Sequence, residues 1–210
     1  MEYILGIYIP IPRRISQKIV RAEKAFALDY NLNTEPHLTL YLGRYYNRNF
    51  NKLLAALRRE KLGRLSVELT QPRIVKNNVR DNQFIFVGLK NRQPIYALHK
   101  KVLAIANEYR SGLIRTKDIK RLKQGLYAKR DKEYLRSYGY TRVLKNFNPH
   151  ISIGSVDHAR AKDLFSGLSK MLHFSAKDKF AANAIIVGLY ERDVRGVYKK
   201  VVVEKTLPLF

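Results

Sequence analysis

The chain has 210 residues, of which 41 are lysine or arginine and 17 are aspartate or glutamate, giving a formal net charge of +24. With 46% hydrophobic residues the chain can bury one core, so we expect a single domain over residues 1–210. Its positive charge favours binding to polyanions, foremost RNA, because binding releases their condensed counterions. The absence of cysteine excludes disulfides, zinc fingers and thiol nucleophiles, and makes a cytoplasmic location the simplest expectation.

The apolar segments are too short to span a bilayer, which takes about 20 residues. The first of them, Tyr3 to Pro12, is interrupted by Pro10 and lacks the basic region of a signal peptide, so we interpret it as a buried strand. We therefore expect no membrane association, and we take a monomer as the default state.

The first part of the chain alternates predicted strands with amphipathic helices. A strand at 3–9 precedes a helix that Pro12 opens, and an alternating strand at 37–42 precedes a second helix and a strand near 65–69. Helical spacing is carried by Ile15, Ile19, Ala22 and Phe26 in the first helix and by Phe50, Leu53, Leu54 and Leu57 in the second.

The same order of elements then restarts. A turn around Asn77 and Asn78 leads into a strand at 84–89, a helix at 95–109 and an alternating strand at 148–153. A helix capped by Asp157, with apolar Leu164, Leu168 and Met171, and strands at 184–190 and 197–204 complete the chain. Both halves have the order strand, long helix, histidine-bearing strand, helix, strand, which predicts an internal duplication in an α+β fold.

The second unit is longer than the first by a basic insertion at about residues 111–145. Its cations are Arg115, Lys117, Lys120, Arg121, Lys123, Lys129, Arg130, Lys132, Arg136, Arg142 and Lys145. Tyrosines at 127, 134, 138 and 140 lie between them and could stack on unpaired bases while the cations follow a phosphate backbone. The alternative is an ordinary solvated helical face, and the sequence leaves both open.

Two predicted strands carry the same short pattern, each preceded by proline: His37-Leu38-Thr39-Leu40 and His150-Ile151-Ser152-Ile153. Because side chains alternate across a strand, each histidine shares a face with its hydroxyl residue, and the aliphatic residues share the other. If the two units pack around a pseudo-twofold axis, both polar faces converge on one cleft. The alternative is a pair of hydrogen-bonded strand histidines and hydroxyl residues with structural roles.

Two imidazoles and two hydroxyls suit the cleavage of a phosphodiester. Imidazole has a pKa of ~6.5 and can act as base towards the attacking oxygen or as acid towards the leaving oxygen. The hydroxyls of Thr39 and Ser152 can donate to the non-bridging phosphate oxygens. No further ligands at metal-binding spacing accompany His37 and His150, so we expect neither a metal nor a cofactor.

On these two motifs and the duplicated order of elements, the chain resembles the two-histidine (2H) phosphoesterase superfamily, which includes RNA 2′,3′-cyclic phosphodiesterases and 2′-5′ RNA ligases. The resemblance spans nearly the whole chain, including the flanks 147–149 and 201–209. It implies a bilobal α+β fold with antiparallel sheets flanking a central cleft, helices outside, and His37, Thr39, His150 and Ser152 as catalytic residues. The basic insertion and the serine in the second motif depart from the family pattern and leave the natural substrate open.

Four other residues are candidate substrate contacts. Tyr41 has the strand parity of His37, Arg44 follows Gly43 at the end of the first motif strand, and Arg142 and Lys145 lie in the basic insertion. Structural roles are the alternative for Tyr41 and Arg44. The alternative for the whole protein is a non-catalytic basic RNA-binding module of the same fold.

Overall fold

The computed structural model describes residues 2–28, 35–76, 82–193 and 198–210, which form nine strands and six α-helices. The strands are β1 (Glu2–Pro10), β2 (His37–Arg44), β3 (Leu65–Val67), β4 (Leu69–Lys76), β5 (Asn82–Leu89), β6 (His150–Asp157), β7 (Phe180–Ala182), β8 (Ala184–Arg192) and β9 (Tyr198–Pro208). The helices are α1 (Arg13–Ala25), α2 (Phe50–Arg59), α3 (Gln93–Glu108), α4 (Thr116–Lys123), α5 (Lys129–Tyr138) and α6 (His158–Met171). The turn predicted around Asn77 and Asn78 lies outside the described residues.

Seven strands form one antiparallel sheet in the order β4-β5-β6-β2-β1-β8-β9, and β3 pairs with β7 in a small second sheet. The units β1-α1-β2 and β5-α3-β6 occupy equivalent places on either side of the junction between β2 and β6. Among the described residues, that junction has a single bridged pair, Leu38 and Ile151. This arrangement confirms the predicted α+β class and the duplicated order of elements.

Helices α1, α3 and α6 pack on the apolar face of the large sheet, and α2 packs on α3. In α1 the predicted positions Ile15, Ile19 and Ala22 are buried, and Phe26 follows the last helical residue. All four predicted positions of α2 are buried as well. In α6 the prediction was partly wrong, because Met171 is 43% exposed at the helix end. Helix α1 contacts β6 and α3 contacts β2, so each unit's long helix packs on the motif strand of the other unit.

Each motif strand contains a β-bulge three residues after its histidine. Thr39 pairs with Tyr8 and Tyr41 with Ile7, which leaves Leu40 as the extra residue of β2. In the second unit Ser152 pairs with Phe86 and Gly154 with Ile85, which leaves Ile153 extra in β6. An extra residue shifts the alternation of side chains by one position. Residues beyond a bulge therefore face the opposite side from the one that simple parity predicts.

Tyr41 shows this effect and corrects the prediction that it contacts substrate. Its side chain is fully buried on the core side, and its hydroxyl donates to the Tyr138 carbonyl at 3.0 Å. The ring lies along its own strand over Gly43, where an added Cβ would overlap the Tyr41 hydroxyl. Tyr41 is thus a structural residue that joins β2 to the end of α5.

Two buried charged residues attach the region 111–145 to the rest of the protein. The Arg110 guanidinium donates to the carbonyls of Leu113, Arg136 and Ser137, and so holds the carboxyl end of α5. At the amino end of α4, the Glu2 carboxylate accepts from the backbone N–H and the hydroxyl of Thr116, each at 3.1 Å. This region therefore packs against β1 and the end of α3. No helix of the described residues is long and apolar enough to cross a membrane.

Replacing Gly43 by alanine tests the packing of Tyr41. The added methyl group displaces the ring and its hydrogen bond to Tyr138, and we expect a loss of about 1–3 kcal/mol in the free energy of unfolding. Urea denaturation measures the loss. Gly63→Ala is the matched control, because a Cβ there meets only the Phe210 carbonyl at 3.9 Å. Equal stability of the two variants would show that Tyr41 is not held in this way.

Candidate active site

The register of β2 against β6 places the two motifs side by side. Because Leu38 faces Ile151 in an antiparallel pair, His37 lies across from Ser152 and Thr39 lies across from His150. All four are half-buried, whereas the intervening Leu38 and Ile151 are fully buried in the core. The two histidines occupy diagonal positions, which lie roughly 7–8 Å apart in a regular antiparallel pair. The structure therefore brings the four predicted residues to one face around a pseudo-twofold axis.

Both imidazoles are held by the same kind of hydrogen bond to a backbone carbonyl. The Nδ1 of His37 is 2.8 Å from the Glu35 carbonyl, and the Nδ1 of His150 is 2.6 Å from the Asn148 carbonyl. A carbonyl only accepts, so Nδ1 carries the proton and Nε2 is the free nitrogen of the neutral ring. In each case the carbonyl lies two residues back, across a proline that fixes the preceding backbone in an extended conformation. Each Nε2 can thus take up or release a proton.

An aromatic ring packs beside each histidine. The Tyr8 ring centroid is 4.5 Å from that of His37, and the Phe86 centroid is 5.1 Å from that of His150. Burial lowers the pKa of both imidazoles from the usual 6.5, and neighbouring positive charge lowers it further, from Arg192 at His37 and from Arg142 at His150. Both rings therefore favour the neutral form, and a bound phosphate anion would raise their pKa again.

On the β9 side, His37 lines a cavity of about 190 Å³ with aromatic walls. The hydroxyls of Tyr8 and Tyr190 each lie 2.7 Å from Glu204 Oε2 and 2.7 Å from each other. The Glu204 carboxylate also favours the charged form of His37. This group of three oxygen atoms fixes the Tyr8 ring that packs on the histidine.

On the opposite side lies a larger groove of about 780 Å³, formed mostly by residues 115–146. Leu42 of β2 and Phe84 of β5 contribute to its wall, and Arg142 stands at its border near His150. We call this space the insertion groove. The polar face of the sheet is thus bordered by one small aromatic cavity and one large basic groove.

His99 joins the two motif strands from the core side. It is fully buried, its Nδ1 lies 2.8 Å from the Leu40 carbonyl at the bulge of β2, and its Nε2 accepts from the Leu144 backbone N–H at 3.1 Å. Its ring stacks on Phe147 at 3.8 Å, just before β6. With one nitrogen donating and the other accepting, His99 is neutral, and burial lowers its pKa. These contacts give His99 a structural role between β2 and the segment before β6.

The other predicted substrate contacts are dispersed. Arg44 lies seven residues along β2 from His37, roughly 20 Å away at strand spacing, and its Nε pairs with Glu2 at 3.6 Å. Arg44 therefore does not lie beside the two motifs, and its contact with substrate stays a prediction. Arg142 and Lys145 are both exposed, and Arg142 borders the insertion groove.

Sequence reasoning missed several residues around the histidines. Tyr8 and Phe86 lie on the strands next to the motif strands, directly opposite Thr39 and Ser152. Tyr8 and Phe86 occupy equivalent places on the first strand of their units, and this equivalence is the feature of the sequence that could have identified them. Glu204 and Tyr190 had none, because only the pairing of β1, β8 and β9 brings them to His37.

Comparison with protein families identifies the chain. Residues 47–194, more than two thirds of it, match the model described as "Protein of unknown function (DUF1045)". The chain belongs to this family. The matched part contains the second motif and begins after the first. A search of the curated proteins gave no match for this DUF1045 member.

Solved structures share the fold of this DUF1045 chain. Escherichia coli LigT in complex with 3′-AMP is 11% identical, with 99% of each chain covered and a TM-score of 0.56. Usb1 of Kluyveromyces marxianus is 16% identical, with 98% of each chain covered and a TM-score of 0.51, and a phosphoesterase is 14% identical over 99% of each chain at 0.56. All three are 2H phosphoesterases. The likeness confirms the predicted 2H fold over the full length.

Three histidines of this DUF1045 protein, His37, His99 and His150, predict a loss of stability in acid. Burial lowers the pKa of His37, His99 and His150, so below pH 6.5 the unfolded chain takes up protons that the folded chain resists. We expect the free energy of unfolding to fall as the pH falls from 6.5, measured by urea denaturation at several pH values. His99→Gln should reduce this slope, whereas Lys52→Gln, at an exposed position on α2, should leave it unchanged. A flat profile in the unmodified protein would contradict the expectation.

Proposed function

We propose that this protein is a phosphodiesterase that hydrolyses RNA-type phosphate esters, either 2′,3′-cyclic phosphate ends or 2′-5′ linkages, without a metal ion. The observation that carries the proposal is the pairing of His37 with Ser152 and of Thr39 with His150 across one bridged pair. Each imidazole presents a free Nε2, and each has a hydroxyl residue opposite it on the neighbouring strand. The shared 2H fold supports the general reaction class, phosphoester chemistry, through LigT and Usb1.

In the proposed reaction at a 2′,3′-cyclic phosphate, one histidine takes up a proton and the other donates one. The Nε2 of one histidine removes a proton from water as the water oxygen bonds to phosphorus. The other histidine, protonated at Nε2, gives its proton to the ribose oxygen as the P–O bond breaks. The ring opens to a phosphomonoester, and the hydroxyls of Thr39 and Ser152 donate to the non-bridging oxygens during the step. The pseudo-twofold symmetry lets either histidine start as base.

The basic surroundings support a substrate of this kind. The charge of Arg142 lowers the pKa of His150, and the charge of Arg192 lowers the pKa of His37. Positive charge therefore lies near both histidines. A phosphate bound between the imidazoles would lower this repulsion and favour the protonated state that one of them needs as an acid. Substrates need a vicinal ribose hydroxyl or its cyclic phosphate, so we expect DNA to be a poor substrate.

Replacement of either histidine tests the proposal on 2′,3′-cyclic nucleotides, RNA ending in a cyclic phosphate and 2′-5′ oligoadenylate, with products resolved by chromatography. His37→Ala and His150→Ala should each lower turnover at least about 100-fold, since each removes an acid or base, while substrate affinity changes little. His173→Ala is the control, because this histidine is exposed at the end of α6. Addition of EDTA should leave turnover unchanged.

Three results would count against the enzyme. Binding without turnover in the unmodified protein indicates the non-catalytic RNA-binding module. Full activity in either histidine variant contradicts the acid and base roles. Strong inhibition by EDTA contradicts the metal-independent reaction.

The pH dependence of kcat/KM gives a separate prediction. One histidine must be neutral and the other protonated, so the profile is bell-shaped. Burial lowers the pKa of both rings, which moves both limbs to lower pH. We therefore expect the optimum below pH 6.5, measured under conditions where the fold is intact by circular dichroism. An optimum above neutrality would show that at least one titrating group is not a buried imidazole.

A further inference from the structure

The insertion groove combines positive charge with exposed apolar surface. Four cations, Arg115, Lys117, Arg121 and Arg142, lie among its wall residues. Between them the groove exposes Val75 at 46% and Leu126 at 51%, which are among the most exposed large hydrophobic side chains of the described chain. The rings of Phe84 and Tyr140 also face this space. Cations for phosphates and apolar surfaces for bases are the two elements that single-strand binding sites share.

The acidic groups of the groove do not cancel this charge. Asp118 is fully buried, pairs with Arg115 at 2.5 Å and accepts from the Tyr127 hydroxyl at 2.7 Å. Asp131 accepts from the Asn146 side-chain amide at 2.7 Å. Within the described ranges, Lys117, Arg121 and Arg142 form no ion pair with a carboxylate. Three cations are therefore available to an anion in the groove.

The surroundings of Lys117 lower the pKa of its ammonium group. Burial, together with the charges of Arg115, Arg192 and Arg121, lowers its pKa to about 8. A lysine in such surroundings is stabilised in its charged form when an anion comes next to it. The charge of Arg192 also lowers the pKa of His37, so the same positive side chain acts on Lys117 and on His37.

The groove opens on the catalytic face of the sheet. Leu42 pairs with Gly6, which lies two residues from Tyr8 and so shares the face of Tyr8 and Thr39. Phe84 lies two residues from Phe86, the partner of Ser152, and shares that face in the same way. Arg142 is a wall residue of the groove, and its charge also acts on the pKa of His150. A strand whose phosphate lies between the histidines can therefore continue into the groove without crossing the sheet.

From this arrangement we infer that the insertion groove binds the single-stranded RNA that adjoins the scissile phosphate, so that the substrate is an oligonucleotide and not a mononucleotide. Lys117, Arg121 and Arg142 bind its phosphates, and bases rest on the apolar wall. The inference rests on the proposed function for the identity of the reacting group. It assigns to residues 115–146 the role of selecting substrates by length.

Two substrates that differ only in length test the inference. One is 2′,3′-cyclic AMP, and the other is a single-stranded RNA of about ten nucleotides, within the range that single-strand sites cover, ending in the same cyclic phosphate. We expect a higher kcat/KM for the RNA. Lys117→Gln with Arg121→Gln should lower kcat/KM for the RNA at least about tenfold and leave that for cyclic AMP unchanged.

The matched control removes the same charge elsewhere. Arg58 and Arg59 are exposed on α2 and line neither cavity, so Arg58→Gln with Arg59→Gln should leave the preference for RNA intact. Arg121→Gln alone serves if the double variant fails to fold by circular dichroism. Equal kcat/KM for the two substrates in the unmodified protein, or equal losses in groove and control variants, would overturn the inference.

A binding measurement separates this inference from the proposed function. Fluorescence anisotropy of a labelled single-stranded RNA with a 3′-hydroxyl end needs no turnover. The groove variant should bind more weakly, with a salt dependence of log K shallower by about 0.7 for each cation lost. If neither substrate is turned over but this difference is seen, the proposed function fails and the groove remains an RNA site. Unchanged affinity overturns the groove assignment, whatever the enzyme assay shows.

Discussion

The bridge between Leu38 and Ile151 is the contact on which the site depends. It is the one bridged pair between β2 and β6 in the described chain, and it fixes the relative position of two motifs 113 positions apart in sequence. A shift of one residue in this register would turn one histidine and its hydroxyl residue towards the core. The two aliphatic side chains are fully buried, so burial of apolar surface in the core also holds the two polar pairs in register.

Several contacts around the bridge reproduce one another in the two units. Each histidine donates through Nδ1 to a carbonyl across a proline, packs beside a ring from the neighbouring strand and is followed by a bulge. His99 breaks this symmetry. It comes from α3 alone and fastens the bulge of β2 to the segment before β6, so one buried neutral imidazole couples the two halves.

The surroundings of the site are less symmetric than the site itself. Strands β8 and β9 place Tyr190 and Glu204 beside His37, whereas α4 and α5 place a basic groove towards His150. The buried charges of Arg110 and Glu2 are satisfied by backbone groups of the same region, which fixes those helices against the sheet. A duplicated centre that suits one general reaction thus has two different borders, and differences in substrate choice can arise at the borders without a change at the centre.

The sequence by itself determined the repeated order of strands and helices and the four central residues, but not α4, α5 or β7. The alternating patterns at 37–40 and 150–153 follow from local periodicity, and the repeated order of strands and helices made a pseudo-twofold arrangement the natural expectation. Only the tertiary structure decided what lies beside these residues. The bulge at Leu40 reversed the face of Tyr41, and strand pairing brought Tyr8, Phe86 and Glu204 to the histidines from distant positions. Periodicity specifies which face a side chain takes within one regular strand, whereas neighbours across strands depend on register and bulges, which are set by long-range contacts.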